Sequence, residues 1–210
     1  MDNEQYFLTI KNHAESVLVV KKSKFIANAI PVDTKDLADQ YIEQLRKKYW
    51  DATHNVFAYS IGLKDEVQKF NDDGEPSGTA GKPVLETIKM NNVKNVLVVV
   101  TRYFGGVLLG ASGLIRAYSE STDLALKEAG IVKRILCKEY KVTITYEFLG
   151  KLQWELRQRN LIVKKTKFDK DVSLHVLVPI FLKMDFPSLM LDITSGNVQV
   201  EIINEDYYSE

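Results

Sequence analysis

The stretch NVLVVVTRYF at residues 95–104 puts the strongest limit on what this chain can fold into. Its first half is apolar without alternation, and a strand of that kind has both faces covered. The sheet that holds it must therefore bury two surfaces. The rest of the first 130 residues supplies suitable elements. QYFLTI and VLVV read as a hairpin across KNHAES, KFIANAIPV as a third strand, and HNVFAYSIG with EVQKF as a second hairpin across GLKD. DTKDLADQYIEQLRKKYW carries Leu37, Ala38, Tyr41, Ile42, Leu45 and Tyr49 at helical spacing, with Asp33 placed to cap it. PVLETIKM starts with Pro83 in a first helical turn. ASGLIRAYSESTDLALKEAG aligns Leu114, Ile115, Tyr118, Thr122, Ala125, Leu126 and Ala129 on one stripe that stops at Gly130.

Beyond Cys137 the pattern restarts as strand, helix, two strands, helix, strand, the split βαβ order of ferredoxin-like domains. Charge divides this half unevenly. Residues 133–170 hold eleven Lys/Arg and four acids, whereas 171–210 hold one base, Lys183, and seven acids. Interleaved strands would cancel part of that imbalance by cross-strand pairing.

Several function classes drop out on bulk grounds. Lys and Arg number 28 and Asp and Glu 28, so no general coating of nucleic acid is expected and any such binding must come from a local patch. A single cysteine excludes a disulfide framework and any zinc ribbon, and Cys137 reads as a buried strand residue. No secretory segment follows Met1 and no apolar run is long enough to span a bilayer, so a cytoplasmic location without membrane contact is expected.

Three stretches hold candidate chemistry. NDDGEPSGTAGKP (71–83) has the wrong glycine spacing for a Walker loop, and Pro83 follows Lys82 where Ser or Thr is required. Ser77, Thr79 and the amides ahead of a helix could still hold an anion; the plain alternative is a turn capped by Thr79. Asp72, Asp73 and Glu75 offer oxygen ligands without EF-hand spacing, so no metal is expected. WDATHN (50–55) brings Asp51 near His54, a general-base pairing, or simply a hydrogen-bonded histidine at a strand start. TRYFGGVLLGASGLIR (101–116) leads from a buried strand through Arg102, Tyr103, Phe104, Gly105 and Gly106 to a helix head carrying Arg116. It lacks the dinucleotide fingerprint, but its parts suit RNA phosphates and stacked bases, or equally a packed turn whose aromatics are core.

NDDGEPSGTAGKP and VVVTRYFGGVLLGASGLIRAYS, with WDATHN and KSKFIA in order, resemble the YigZ/IMPACT family over roughly residues 15–130. The resemblance implies an α+β fold of two domains. Residues 1–137 would be an IMPACT-type N-terminal domain, an α/β sandwich similar to domain 2 of a small-subunit ribosomal protein and to elongation factor G domain IV. Residues 138–210 would be a ferredoxin-like βαββαβ domain, similar to another module of that factor. Eukaryotic IMPACT restrains a starvation-responsive initiation-factor kinase through a further domain outside this resemblance.

The expected function is a non-enzymatic protein that binds RNA or the ribosome and modulates translation, without a cofactor and with no catalytic residue assigned. Lys82, Arg102, Arg116, Ser77 and Thr79 would meet phosphate, Gly105 and Gly106 would let the backbone approach, and Tyr103 or Phe104 would stack on bases. The alternatives are a small-anion-binding protein or hydrolase built on Asp51, His54, Asp73 and the 72–82 loop, and an adaptor for a protein partner. The oligomeric state is left open.

Overall fold

The computed structural model describes residues 5–209; the outer ends of the two expected domains, residues 1–4 and 210, lie outside the described residues. The protein is mixed α and β, with two five-stranded sheets and five α-helices among the described residues. It divides into two compact units. One is Phe7–Lys133; the other begins at Arg134 and takes in Gln5 and Tyr6.

Along the first unit run β1 (Tyr6–Ile10), β2 (Ala14–Val20), β3 (Ser23–Pro31), α1 (Lys35–Lys48), β4 (His54–Ile61) and β5 (Val67–Asn71). They are followed by α2 (Gly81–Met90), β6 (Val96–Tyr103) and α3 (Gly110–Ala129). The sheet order is β2-β3-β6-β4-β5 with antiparallel neighbours. The apolar run thus forms the middle strand, β6. Val96, Val98 and Val100 face a core made by α2 and α3, while Leu97 and Val99 face α1. Continuous apolarity is the direct result of a helix layer on each face.

The strand order corrects one expectation. Residues 5–10 do not hairpin with 17–20; β1 takes no place in this sheet, and β2 turns directly into β3. The turn is two residues long, Lys21 and Lys22, both left-handed with φ of 44° and 68°. Tight hairpins need that backbone and usually take it from Asn or Gly, so two lysines gave no turn signal. The α1 cap also moves by one residue, because Thr34 rather than Asp33 accepts from Leu37 N at 3.3 Å.

The second unit contains β7 (Ile131–Ile144), α4 (Tyr146–Gln158), β8 (Ile162–Phe168), β9 (Val172–Pro179), α5 (Phe186–Thr194) and β10 (Gln199–Ser209). Its strands run in the order β10-β7-β9-β8, all antiparallel, which is the ferredoxin-like arrangement, and β1 beside β7 is the fifth strand of that sheet. The expected division at Cys137 falls inside β7, which continues unbroken through it. Val142, Leu174 and Val176 pack under Leu152, Leu156, Phe186 and Met190 of the two helices. The lopsided charge is partly met across β7 and β10, where Lys141 lies opposite Glu201 at 3.9 Å and Lys138 pairs in register with Glu205. Burial pushes the Cys137 thiol up to about 11, consistent with a packing role. No helix among the described residues is long and apolar enough to cross a membrane.

Candidate functional site

The candidate residues of the first unit gather where β4 begins, β6 ends and α3 starts. Register sets this: His54 on β4 stands opposite Arg102 on β6. The 71–83 loop passes over the same end, and its three carboxylates each have an internal partner. Asp72 accepts from the amides of Gly78 (2.9 Å), Ala80 (3.2 Å) and Gly81 (2.7 Å), so it caps α2 itself. Asp73 accepts from Asn55 N at 2.6 Å and lies 3.5 Å from Arg46. Glu75 is buried, and its Oε1 accepts from Arg102 Nη1 at 2.6 Å and from Tyr118 Oη at 2.8 Å. Burial above all, with the Glu75 carboxylate beside it, drives the Tyr118 hydroxyl strongly upward, so it stays a donor.

These contacts correct the reading of the loop as an anion cradle. The α2 N-terminus, with its positive dipole, already holds the Asp72 carboxylate. Thr79 does not cap the helix; its hydroxyl donates to Pro76 O at 2.7 Å, and Ser77 is exposed without an assigned contact to the helix. Arg102 is corrected as well. It is 5% exposed, bonded to Glu75, and sandwiched with its Cζ 5.4 Å from the Phe25 ring and 5.6 Å from the Phe104 ring. A guanidinium neutralised in this way is not free to meet a phosphate.

Asp51 does not couple to His54, because it accepts from Tyr103 Oη at 2.8 Å. That bond ties the Tyr103 hydroxyl to the turn ahead of β4. His54 instead donates from Nδ1 to the Asp73 carbonyl at 2.7 Å, and its Nε2 stands 3.8 Å from Glu75 Oε1. The carbonyl only accepts, so Nδ1 carries the proton and Nε2 of the neutral ring is an acceptor. His54 and the loop do converge. Among the described residues no group of three His, Cys, Asp or Glu side chains could hold a metal ion.

What remains accessible is the turn from β6 into α3. Phe104 is 46% exposed and Leu108 82% exposed, with Val107 and Gly106 also open to solvent. The turn is held from beneath: Phe104 N donates to Thr53 Oγ1 at 3.0 Å and Gly105 N to Ser23 Oγ at 3.2 Å. Gly105 is required there, since a Cβ would collide with the Lys22 backbone. Lys21 and Lys22 are thereby set beside the turn. Lys21, Ser112, Gly113, Arg116 and Glu120 line a groove, and no side chain caps the α3 N-terminus at Leu109. Lys82 is exposed on α2. Sequence reading missed Lys21, Lys22, Leu108 and the Glu75–Tyr118 pair; the adjacent lysines were the one visible signal.

Known proteins match both halves of this description. The Impact N-terminal domain, as a family model, matches residues 21–126. IMPACT family member YvyE of Bacillus subtilis is 40% identical over 195 residues, 93% of this chain and 90% of that protein. IMPACT family member YigZ of Escherichia coli is 32% identical over 89% of this chain and 92% of its own. Protein IMPACT of Rattus norvegicus is 41% identical over 95 residues, 43% of this chain but 29% of that protein. A crystal structure described as that of a hypothetical protein covers 95% of this chain and 98% of its own, with a TM-score of 0.61 at 30% identity.

Proposed function

The chain belongs to the IMPACT family, and on that premise we propose that it is a non-enzymatic cytosolic protein that binds RNA or the ribosome and modulates translation. The observation that carries the reading is the groove at the head of α3. Lys21 and Arg116 flank free helical amides there, and exposed Phe104 and Leu108 stand on the adjoining turn. Cations beside an uncapped helix N-terminus attract phosphate, and an exposed ring beside them offers a stacking surface. The phosphate contacts fall to Arg116, Lys21 and Lys22, with Lys82 more distant in the chain and Arg102 acting only as a support for Phe104.

Fluorescence anisotropy with labelled single-stranded RNA at low salt tests this. Wild type is expected to bind in the micromolar range. The Lys21→Glu/Lys22→Glu and Arg116→Glu variants are expected to weaken binding about tenfold and to lower the slope of log K against log salt by about 0.7 per lost contact. Wild-type affinity in both variants would refute the groove as the interface.

A further inference from the structure

Beside the basic groove, and sharing Leu109 with it, lies a cavity of about 410 Å³, a size ordinary for small-ligand sites. Phe104, Leu108, Leu114 and Pro76 give it apolar walls, and Gly110 and Ala111 bring the first turn of α3 to it. Two unmet needs come together there. No side chain caps this 20-residue helix, so the positive end of its dipole is open to an acceptor. Arg102 lines the same cavity at 5% exposed, and its Nε is buried without a hydrogen-bond partner. Nη1 donates to Glu75 and Nη2 to Ser23 Oγ at 3.4 Å, which leaves Nε as the nitrogen with no acceptor. A buried donor in that state is costly, and a ligand that accepts from it recovers the cost. Thr53 Oγ1 accepts from Phe104 N and keeps its own proton to give. Acceptors line the cavity as well, in His54 Nε2 and Glu75. The charge of Glu75 is matched by Arg102 at 2.6 Å and the neutral His54 ring adds none, so the helix end sets the sign.

We propose that this cavity binds a small organic carboxylate with an apolar body, a site that does not depend on the RNA reading above. The carboxylate takes the leading amides of α3 and the Arg102 Nε–H, and the body lies against Phe104, Leu108 and Leu114. Arg102 acts here as a hydrogen-bond donor, while its charge stays with Glu75. The Phe104 ring, 46% exposed, stands 5.6 Å from the guanidinium carbon, and Nε is out of the reach of water, so the entering ligand displaces that ring. Inorganic phosphate has the charge without the body, and an amide has the body without the charge. A free acid and the C-terminal residue of a peptide both carry the required chemistry.

Proton–nitrogen NMR titration of the full chain with 3-phenylpropionate, its primary amide, inorganic phosphate and N-acetylalanylphenylalanine tests this. 3-Phenylpropionate is expected to shift the Gly110 and Ala111 amides and the Arg102 Nε–H. It should bind about tenfold tighter than its amide, the order expected of a charge-assisted hydrogen bond over a neutral one. Inorganic phosphate is expected to leave the Arg102 Nε–H where it is. Tighter binding of the acetyl dipeptide than of the free acid assigns the carboxylate to a chain end, and weaker binding assigns it to a free acid. Ala111→Asp, at an exposed first-turn position, offers the amides a carboxylate of the chain's own. It is expected to weaken 3-phenylpropionate at least about tenfold while the denaturation midpoint stays level or rises. Equal affinity for acid and amide, an unmoved Arg102 Nε–H at saturation, or wild-type binding by Ala111→Asp would each overturn the site. So would failure of the acid to bind at about 10 mM, and that result would leave RNA binding standing.

Discussion

Among the described residues each unit buries one glutamate, and each surrounds it with a tyrosine, a histidine and a cation. In the first, Glu75 meets Arg102 at 2.6 Å and Tyr118 at 2.8 Å, with His54 Nε2 at 3.8 Å. In the second, Glu139 accepts from Tyr208 (2.6 Å), His175 (2.8 Å) and Lys164 (2.9 Å). The difference is in what positions them. Glu139 lies on β7, with Tyr208 on β10 and His175 on β9, its two neighbours, and Lys164 at the irregularity of β8 one strand further, so every member of the cluster is carried by the sheet. Glu75 comes from a loop and is drawn inward by an arginine that is itself buried. The first cluster therefore holds a loop and a cavity wall in place, whereas the second rides on a sheet that forms without it. A glutamate, a tyrosine, a histidine and a cation, arginine in one unit and lysine in the other, support a site in the first and decorate a face in the second.

Substitutions ordered by expected effect probe that contrast. Arg102→Met strands the Glu75 charge in the core and should destabilise the protein by about 3–5 kcal/mol in chemical denaturation. Adding Glu75→Gln should restore more than half, and the absence of any restoration would break the pairing argument. Glu139→Gln keeps the shape and loses charge-assisted hydrogen bonds, at about 1.5–3 kcal/mol.

The pH profile distinguishes the clusters as well. The Tyr208 hydrogen bond above all, with His175 and Lys164, holds the Glu139 carboxyl down at about 2, below its ordinary 4.5. A folded-state value below the unfolded one gives stability that is complete above 4.5 and is lost as pH falls toward 2. Denaturation midpoints measured between pH 5 and pH 2 should fall less steeply in Glu139→Gln than in the wild type. Lys164→Met should have the smallest effect, since its side chain is about half exposed and water replaces the partner. A shift as large as that of Arg102→Met would mean that the second cluster supports its unit as the first does.

The sequence carried the architecture better than the site. Unbroken apolarity in β6 and the strand–helix order after Cys137 record burial and periodicity, which are local properties. The Lys21–Lys22 turn left no mark, because its left-handed backbone comes without the residues that favour it. The three acids of the 71–83 loop were visible as an obstacle to anion binding but not as its resolution. Their partners are Asn55 and Arg46 for Asp73, Arg102 and Tyr118 for Glu75, and the α2 amides for Asp72. All but the last are distant in sequence, and charge pattern alone cannot choose among distant partners.

The central place of β6 also sets an order in time. Its partners β3 and β4 are synthesised first, and neither can close the sheet without it. From the end of β3 at Pro31 to the start of β6 at Val96 is 65 residues, 96 minus 31. At roughly 5–20 residues per second, the inner edge of β3 waits about 3–13 s for β6, and that of β4, made later, waits for less time. During that interval the nascent chain carries two apolar strands with open edges, and the last strand to arrive joins both in one step.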